Sequence, residues 1–237
     1  VAAHGLYRHA FAALLGSDFT VTGLAQRLTW ASLLLGLGWL LWQRGSERPV
    51  ARTASALLAA AAAFHTLWYS LLLHNPLWTA QHVGALPALN LLAPLFVLLP
   101  LSLHLLGRTR EELAGPIGKI MQPLLMISVI GFAWATLRQA FHGTLLVEPG
   151  VSDLEDILRS ILGIALAIGF LLWGIRRKRH DWRIASLVLM LVAVAKVFLL
   201  DASGLEGLLR IASFVALGFS LIGIGWLYSR QLRRSES

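Results

Sequence analysis

Apolar residues along this chain gather into seven runs separated by short polar stretches. The runs fall at roughly 24–42, 53–73, 87–106, 120–137, 157–175, 184–200 and 211–228. A helix needs about 20 mostly apolar residues to cross the hydrocarbon core of a bilayer, and each run is near that length. A membrane β-barrel would instead alternate apolar and polar positions over segments of about 10 residues. These runs are continuous, so the pattern predicts helices. The predicted fold class is all-α: a polytopic transmembrane bundle of about seven spans, forming a single module over residues 1–237.

The polar stretches carry an orientation signal. Alternate stretches hold Arg44, Arg48 and Arg52; Arg108, Arg110 and Lys119; Arg176, Arg177, Lys178, Arg179 and Arg183; and Arg230, Arg233 and Arg234. The stretches between them hold Arg8 and Arg27, Arg138 and Arg159, and Arg210. Basic residues collect on the cytoplasmic side of membrane proteins. The asymmetry therefore predicts an external N-terminus and a cytoplasmic C-terminus. Tryptophans agree, with Trp39, Trp42, Trp173, Trp182 and Trp226 near the inner ends and Trp30, Trp68, Trp78 and Trp134 near the outer ends. Indole rings favour the headgroup level.

Composition supports the same class. The chain is 57% hydrophobic and 14% charged, against roughly 25% charged in soluble domains. Its net charge of +8 is accounted for by the inner loops, so no nucleic-acid partner is expected. Membrane lipids are the partners the composition implies. Small residues at spacing four, as in Ala165 and Gly169, allow close helix packing, within the bundle or in a homo-oligomer. There is no cysteine, which excludes disulfides and thiolate chemistry. No cofactor or metal is expected. The first 20 residues lack a signal-peptide pattern, and a start at Val1 suggests a fragment or processed product.

Two helix starts share one pattern, S-x-L-E-x-x-L-R. Ser152 to Glu155 leads to Arg159, and Ser203 to Glu206 leads to Arg210. Serine is expected to cap each helix, glutamate to bond back to the cap, and arginine four residues on to pair with the glutamate. An ancestral two-helix repeat and convergence on a good helix start both explain the recurrence.

Three stretches carry a likeness to a known family. They are Leu137-Arg138-Gln139-Ala140-Phe141-His142-Gly143, Lys196-Val197-Phe198-Leu199-Leu200-Asp201, and Gly204-Leu205 through Arg210-Ile211-Ala212-Ser213-Phe214 to Gly218 and Tyr228. With Asn90 in Pro87-Ala88-Leu89-Asn90, they resemble the C-terminal part of the bacterial membrane-protein family Domain of Unknown Function 2339. The likeness covers roughly residues 75–232. It implies a bacterial inner-membrane location and a longer parent protein with more spans. It implies no activity.

Candidate chemistry concentrates on the outer side. Ionisable groups within a bilayer are costly and often functional. Lys196 lies near the outer end of the sixth run, and Asp201 follows that run. Asn90 enters the third run, with Pro94 and Pro100 beyond it. Arg138 and His142 close the fourth. These five residues form the expected outer-side polar cluster; a snorkelling lysine and interfacial polar side chains are the structural alternative. His65 and His104 lie at different depths, which argues against a bis-histidine haem. Zinc-protease, phosphate-loop and nucleophile-elbow motifs are absent. The leading functional expectation is a transport or translocation component, or a scaffold of an envelope assembly. The alternative is an intramembrane enzyme acting on a lipid-linked envelope substrate from the outer side.

Overall fold

A computed structural model describes residues 2–16, 18–45, 47–86, 90–199, 215 and 217–226. The helices are α1 (Ala2–Leu15), α2 (Phe19–Gly45), α3 (Pro49–Phe64), α4 (Leu92–Thr109), α5 (Glu111–His142), α6 (Asp153–Arg176) and α7 (His180–Leu199). A short apolar helix, α8, covers Leu217–Trp226. Helix α3 continues without a break as a π-helix, His65–Leu73. Among the described residues, α2, α3 with its π continuation, α4, α5 and α6 are long and apolar enough to cross a membrane. The described elements are helical, as the continuous apolar runs predict. The chain divides into two compact units, residues 1–155 and 156–237.

In the first unit, α2 to α5 run antiparallel in sequence order. Arg27 of α2 donates to the His74 carbonyl at 3.2 Å, which brings the start of α2 to the end of the π-helix. Arg52 of α3 donates to the Thr109 carbonyl at 2.8 Å and to Glu111 at 2.9 Å. Arg108 lies 4.9 Å from the Trp42 ring. The opposite ends of the same helices thus meet too.

The core is a stripe at helical spacing. Leu24, Leu28, Ala31 and Leu35 of α2 pack with Ala59 and Ala62 of α3, Leu92, Leu95, Leu98 and Leu105 of α4, and Ala135 of α5. Leu33, Leu37 and Leu40 of α2 are exposed. A helix apolar all round has a second apolar phase to face, and lipid tails supply it. Apolar burial then contributes little between helices, so close packing and polar bonds matter more. The Ser55 hydroxyl, fully buried, donates to the Gly38 carbonyl at 2.7 Å. A Cβ on Gly38 would meet the Ser55 carbonyl oxygen and the Leu58 Cβ at 3.3 Å.

The tightest approach joins α4 and α5. A Cβ on Gly131 would lie 2.5 Å from the Phe96 ring. Gly131→Ala is expected to cost about 1–3 kcal/mol, the usual penalty for overpacking. Phe96→Leu in the same chain should recover most of it. Tryptophan fluorescence during denaturation by SDS reads both. Equal stability of Gly131→Ala and the parent would show that the ring moves freely.

Three local features depart from the sequence pattern. Helix α1 lies ahead of the first predicted span. The π-helix is bonded five residues apart, ending with His74 N–H to the Tyr69 carbonyl at 3.1 Å, and no composition signal marks it. The third span begins as a helix at Leu92 rather than 87. Asn90 stands just before the N-cap residue Leu91 and accepts a bond from the Leu92 N–H at 2.8 Å. Pro94 falls in the first turn, where backbone N–H groups have no helical acceptor.

Two non-helical segments, 74–86 with 90–91 and 143–152, meet at one end of this unit. His82 and Leu145 form an isolated antiparallel bridge. The His82 N–H bonds the Thr20 carbonyl at 2.9 Å, and the Val83 N–H bonds the Thr144 carbonyl at 3.0 Å. These bonds fix the segments across the starts of α2 and α4 and the end of α5.

The second unit contains the antiparallel pair formed by α6, from Asp156 onward, and α7. Near the turn, Phe170 meets Trp182 edge-on at 5.0 Å. A Cβ on Gly174 would lie 2.9–3.0 Å from Trp182 and Arg183. Gly163 faces Ala193 midway along. Lys196 meets Asp156 and Ser160 at the other end.

Candidate functional site

Glu155 is the central group. Its backbone N–H is bonded to the Ser152 hydroxyl at 3.2 Å, so the predicted cap forms at the start of α6. Its side chain is 1% exposed. One carboxylate oxygen accepts from Arg138 Nη1 at 3.3 Å. The other lies 2.9 Å from His142 Nε2. Arg138 and His142 are four residues apart on α5 and share one face.

Arg138 reaches further. Its Nη2 donates to the Glu148 carbonyl at 2.6 Å, and its Nε donates to the Leu146 carbonyl. One guanidinium thereby joins the end of α5, the loop after it and the first turn of α6. A buried carboxylate is tolerated when a cation and hydrogen bonds replace its lost hydration. Arg138 and His142 supply both here.

A second, neutral set lies beside the first. Gln139 is 2% exposed and accepts from the Asn90 amide. Its own amide donates to the Gly84 carbonyl at 2.8 Å. Gly84 has φ +105, and a Cβ there would meet Asn90 at 3.1 Å. Conformation and space therefore both favour glycine at that position. His82 Nδ1 lies 2.9 Å from the Thr144 hydroxyl. Arg27 donates to the Gln81 side-chain oxygen at 2.5 Å.

The five residues expected to cluster are distributed as follows. Arg138 and His142 share Glu155, and Asn90 bonds to Gln139, the neighbour of Arg138. Lys196 lies in the second unit, with its ammonium 2.9 Å from both the Asp156 carboxylate and the Ser160 hydroxyl. Asp201 lies outside the described residues, as do Ser203, Glu206 and Arg210. Among the described residues, no three His, Cys, Asp or Glu side chains gather as a metal site.

Sequence reasoning missed Glu155, Gln139, Asp156 and Ser160 as partners. Local spacing assigns Glu155 to its own helix start. Its contacts to α5 depend on the turn at 143–152, which local spacing does not determine. Asp156 and Ser160 carry a usable signal: they lie four apart and present two oxygens on one helical face.

The Lys196–Asp156 pair is partly exposed, at 26% and 41%, so solvent screening limits its worth. Lys196→Met and Asp156→Leu should each destabilise more than the two together. A coupling of about 0.5–1 kcal/mol is expected in detergent. A double-mutant cycle read by SDS denaturation measures it, and strict additivity would show that the pair contributes nothing.

Comparison with known proteins adds one match. The family model described as "Predicted membrane protein (DUF2339)" matches residues 1–231. The match reaches further toward the N-terminus than the motif-bearing stretches at 75–232. No curated protein and no solved structure matches the chain.

Proposed function

The chain belongs to the DUF2339 family of predicted membrane proteins, and from that premise we propose that it is a seven-span module of the bacterial inner membrane, with its N-terminus outside, serving as a scaffold in an envelope assembly. Support for seven spans comes from α7 and α8, which coincide with the sixth and seventh apolar runs. Support for the orientation comes from the basic residues. In the first unit, Arg52 and Arg108 stand at one end of α3 and α4, while the loops at 74–86 and 143–148 contain no Lys or Arg.

One observation carries the scaffold reading. The buried polar groups around Glu155 and Gln139 are engaged with one another. Glu155 holds Arg138 and His142, Arg138 also holds two carbonyls, and Gln139 ties Asn90 to Gly84. Such a set fixes loops in one shape for presentation to a partner. A catalytic set would leave donors or bases directed at a substrate. Transport calls for a path through the bilayer midplane, and the middle of the first unit is filled by Ala31, Leu35, Ala59, Ala62, Leu95 and Leu98.

The enzyme alternative, acting on a lipid-linked envelope substrate from the outer side, draws on a single contact. A carboxylate 2.9 Å from a histidine orients an imidazole for proton transfer. His142→Gln in the full-length protein separates the readings. Under the scaffold role it weakens folding modestly and still complements a deletion strain. Complete loss of complementation with unchanged thermal stability would transfer the assignment to the enzyme.

Orientation has its own test, made simple by the absence of native cysteine. A cysteine placed at Glu148 should react with an impermeant thiol reagent in intact cells. One placed at His180 should react only after lysis. The reverse pattern would invert the topology.

A further inference from the structure

A cavity of about 490 Å³ opens between α1, α2 and the π-helix. Its walls include His4 and Tyr7 of α1, Phe19, Arg27 and Trp30 of α2, and His65 of the π-helix. A second hollow of about 430 Å³ runs along α1 and shares Arg8 and Gln26 with the first. Among the described residues, no carboxylate lines either one.

Among the described residues, the cavity carries charge without a counter-ion. Arg27 bonds only neutral acceptors, the His74 carbonyl and the Gln81 side-chain oxygen, and its Nε is buried with no partner. Its guanidinium sits 5.3 Å from the Phe19 ring. The Nδ1 atoms of His4 and His65 are also buried without partners, and the two rings lie 6.3 Å apart. Arg8 is exposed near both hollows. Burial, followed by repulsion from Arg8, holds the His4 imidazole below its ordinary range. A partly buried cation with no neutralising partner among the described residues still loses hydration, and an anion in the cavity would offset that loss.

We propose that this cavity is a binding site for a phosphate group carried by a lipid, with Arg27, His4 and His65 as donors to its oxygens. Donors come from three elements, α2, α1 and the π-helix. A tetrahedral phosphate presents oxygens to all three, whereas the two oxygens of a carboxylate lie in one plane. Trp30, Tyr7 and Phe19 give apolar walls for the adjoining glycerol and first methylenes, and the hollow along α1 extends that surface. The π-helix fits such a site, since π turns recur where helices hold ligands. The site is separate from the Glu155 network and does not depend on the scaffold role.

Native mass spectrometry of the full chain in detergent tests the site. The probes are phosphatidic acid, phosphatidylcholine and inorganic phosphate. Phosphatidic acid should bind about tenfold more tightly than phosphatidylcholine, and Arg27→Gln should weaken it about tenfold, the scale of one charge-assisted contact. Because Arg27 also holds two neighbours, His65→Phe provides a second variant that fills the cavity and leaves Arg27's bonds intact. It too should abolish the preference. Arg108→Gln, at the opposite end, should leave it unchanged. If inorganic phosphate at millimolar concentration displaces phosphatidic acid, the phosphate subsite stands, while failure to compete would show that the lipid portion is needed. Equal binding of the two lipids, or an undiminished preference in both cavity variants, overturns the proposal.

Discussion

Replacing Glu155 with alanine is expected to lower the stability of the folded chain by about 3–5 kcal/mol, the range for removing one member of a buried ion pair. The reason is what remains. Arg138 is 13% exposed and His142 12%, so neither recovers full hydration when the carboxylate is lost. Glu155→Gln should cost less, because an amide oxygen still accepts from Arg138. Glu155→Leu combined with Arg138→Met should cost less than Glu155→Leu alone, since no buried charge is stranded. SDS denaturation followed by tryptophan fluorescence gives the four values. A loss below about 0.5 kcal/mol for the alanine variant, the level of an ordinary surface change, would remove Glu155 from the centre of this network.

Gln139→Leu is the second large effect, about 2–4 kcal/mol. Leucine keeps the bulk and deletes both bonds. The Asn90 amide and the Gly84 carbonyl are then left unmatched, each at a cost of about 1–3 kcal/mol. The consequence is also local. Segment 74–86 is held to α5 through Gly84 and to segment 143–152 through Val83. Val83 is fully buried. A cysteine placed there should react slowly with a thiol reagent in the parent chain, and about tenfold faster once Gln139 is leucine, as expected where local opening becomes easier by about 1.4 kcal/mol. Unchanged labelling would mean that the backbone bridge at His82 and Leu145 holds the segment without Gln139.

Apolar run length and the distribution of Arg and Lys were enough to place helices α2 to α7 and to propose their direction, because a bilayer imposes length and charge rules that act on each span by itself. The Ser152 cap was legible for the same reason: a helix start solves its hydrogen bonding within four residues. Asn90, Arg138 and His142 were recognisable as unusual polar groups near span ends. Their partners were not. Whether Glu155 turns to α5, whether Gln139 reaches Gly84, and whether Lys196 meets Asp156 depend on loop paths and helix rotations that no local pattern encodes. The π-helix and the basic cavity beside α1 belong to the same class. His4, Arg27 and His65 are scattered singly along the sequence, and only packing brings their nitrogens to one hollow. The sequence determined an apolar, helical, membrane-spanning chain, because the cost of exposing backbone and charge to lipid is set residue by residue. The tertiary structure decided which polar groups meet, because each such bond requires two distant segments to arrive at one place in one orientation.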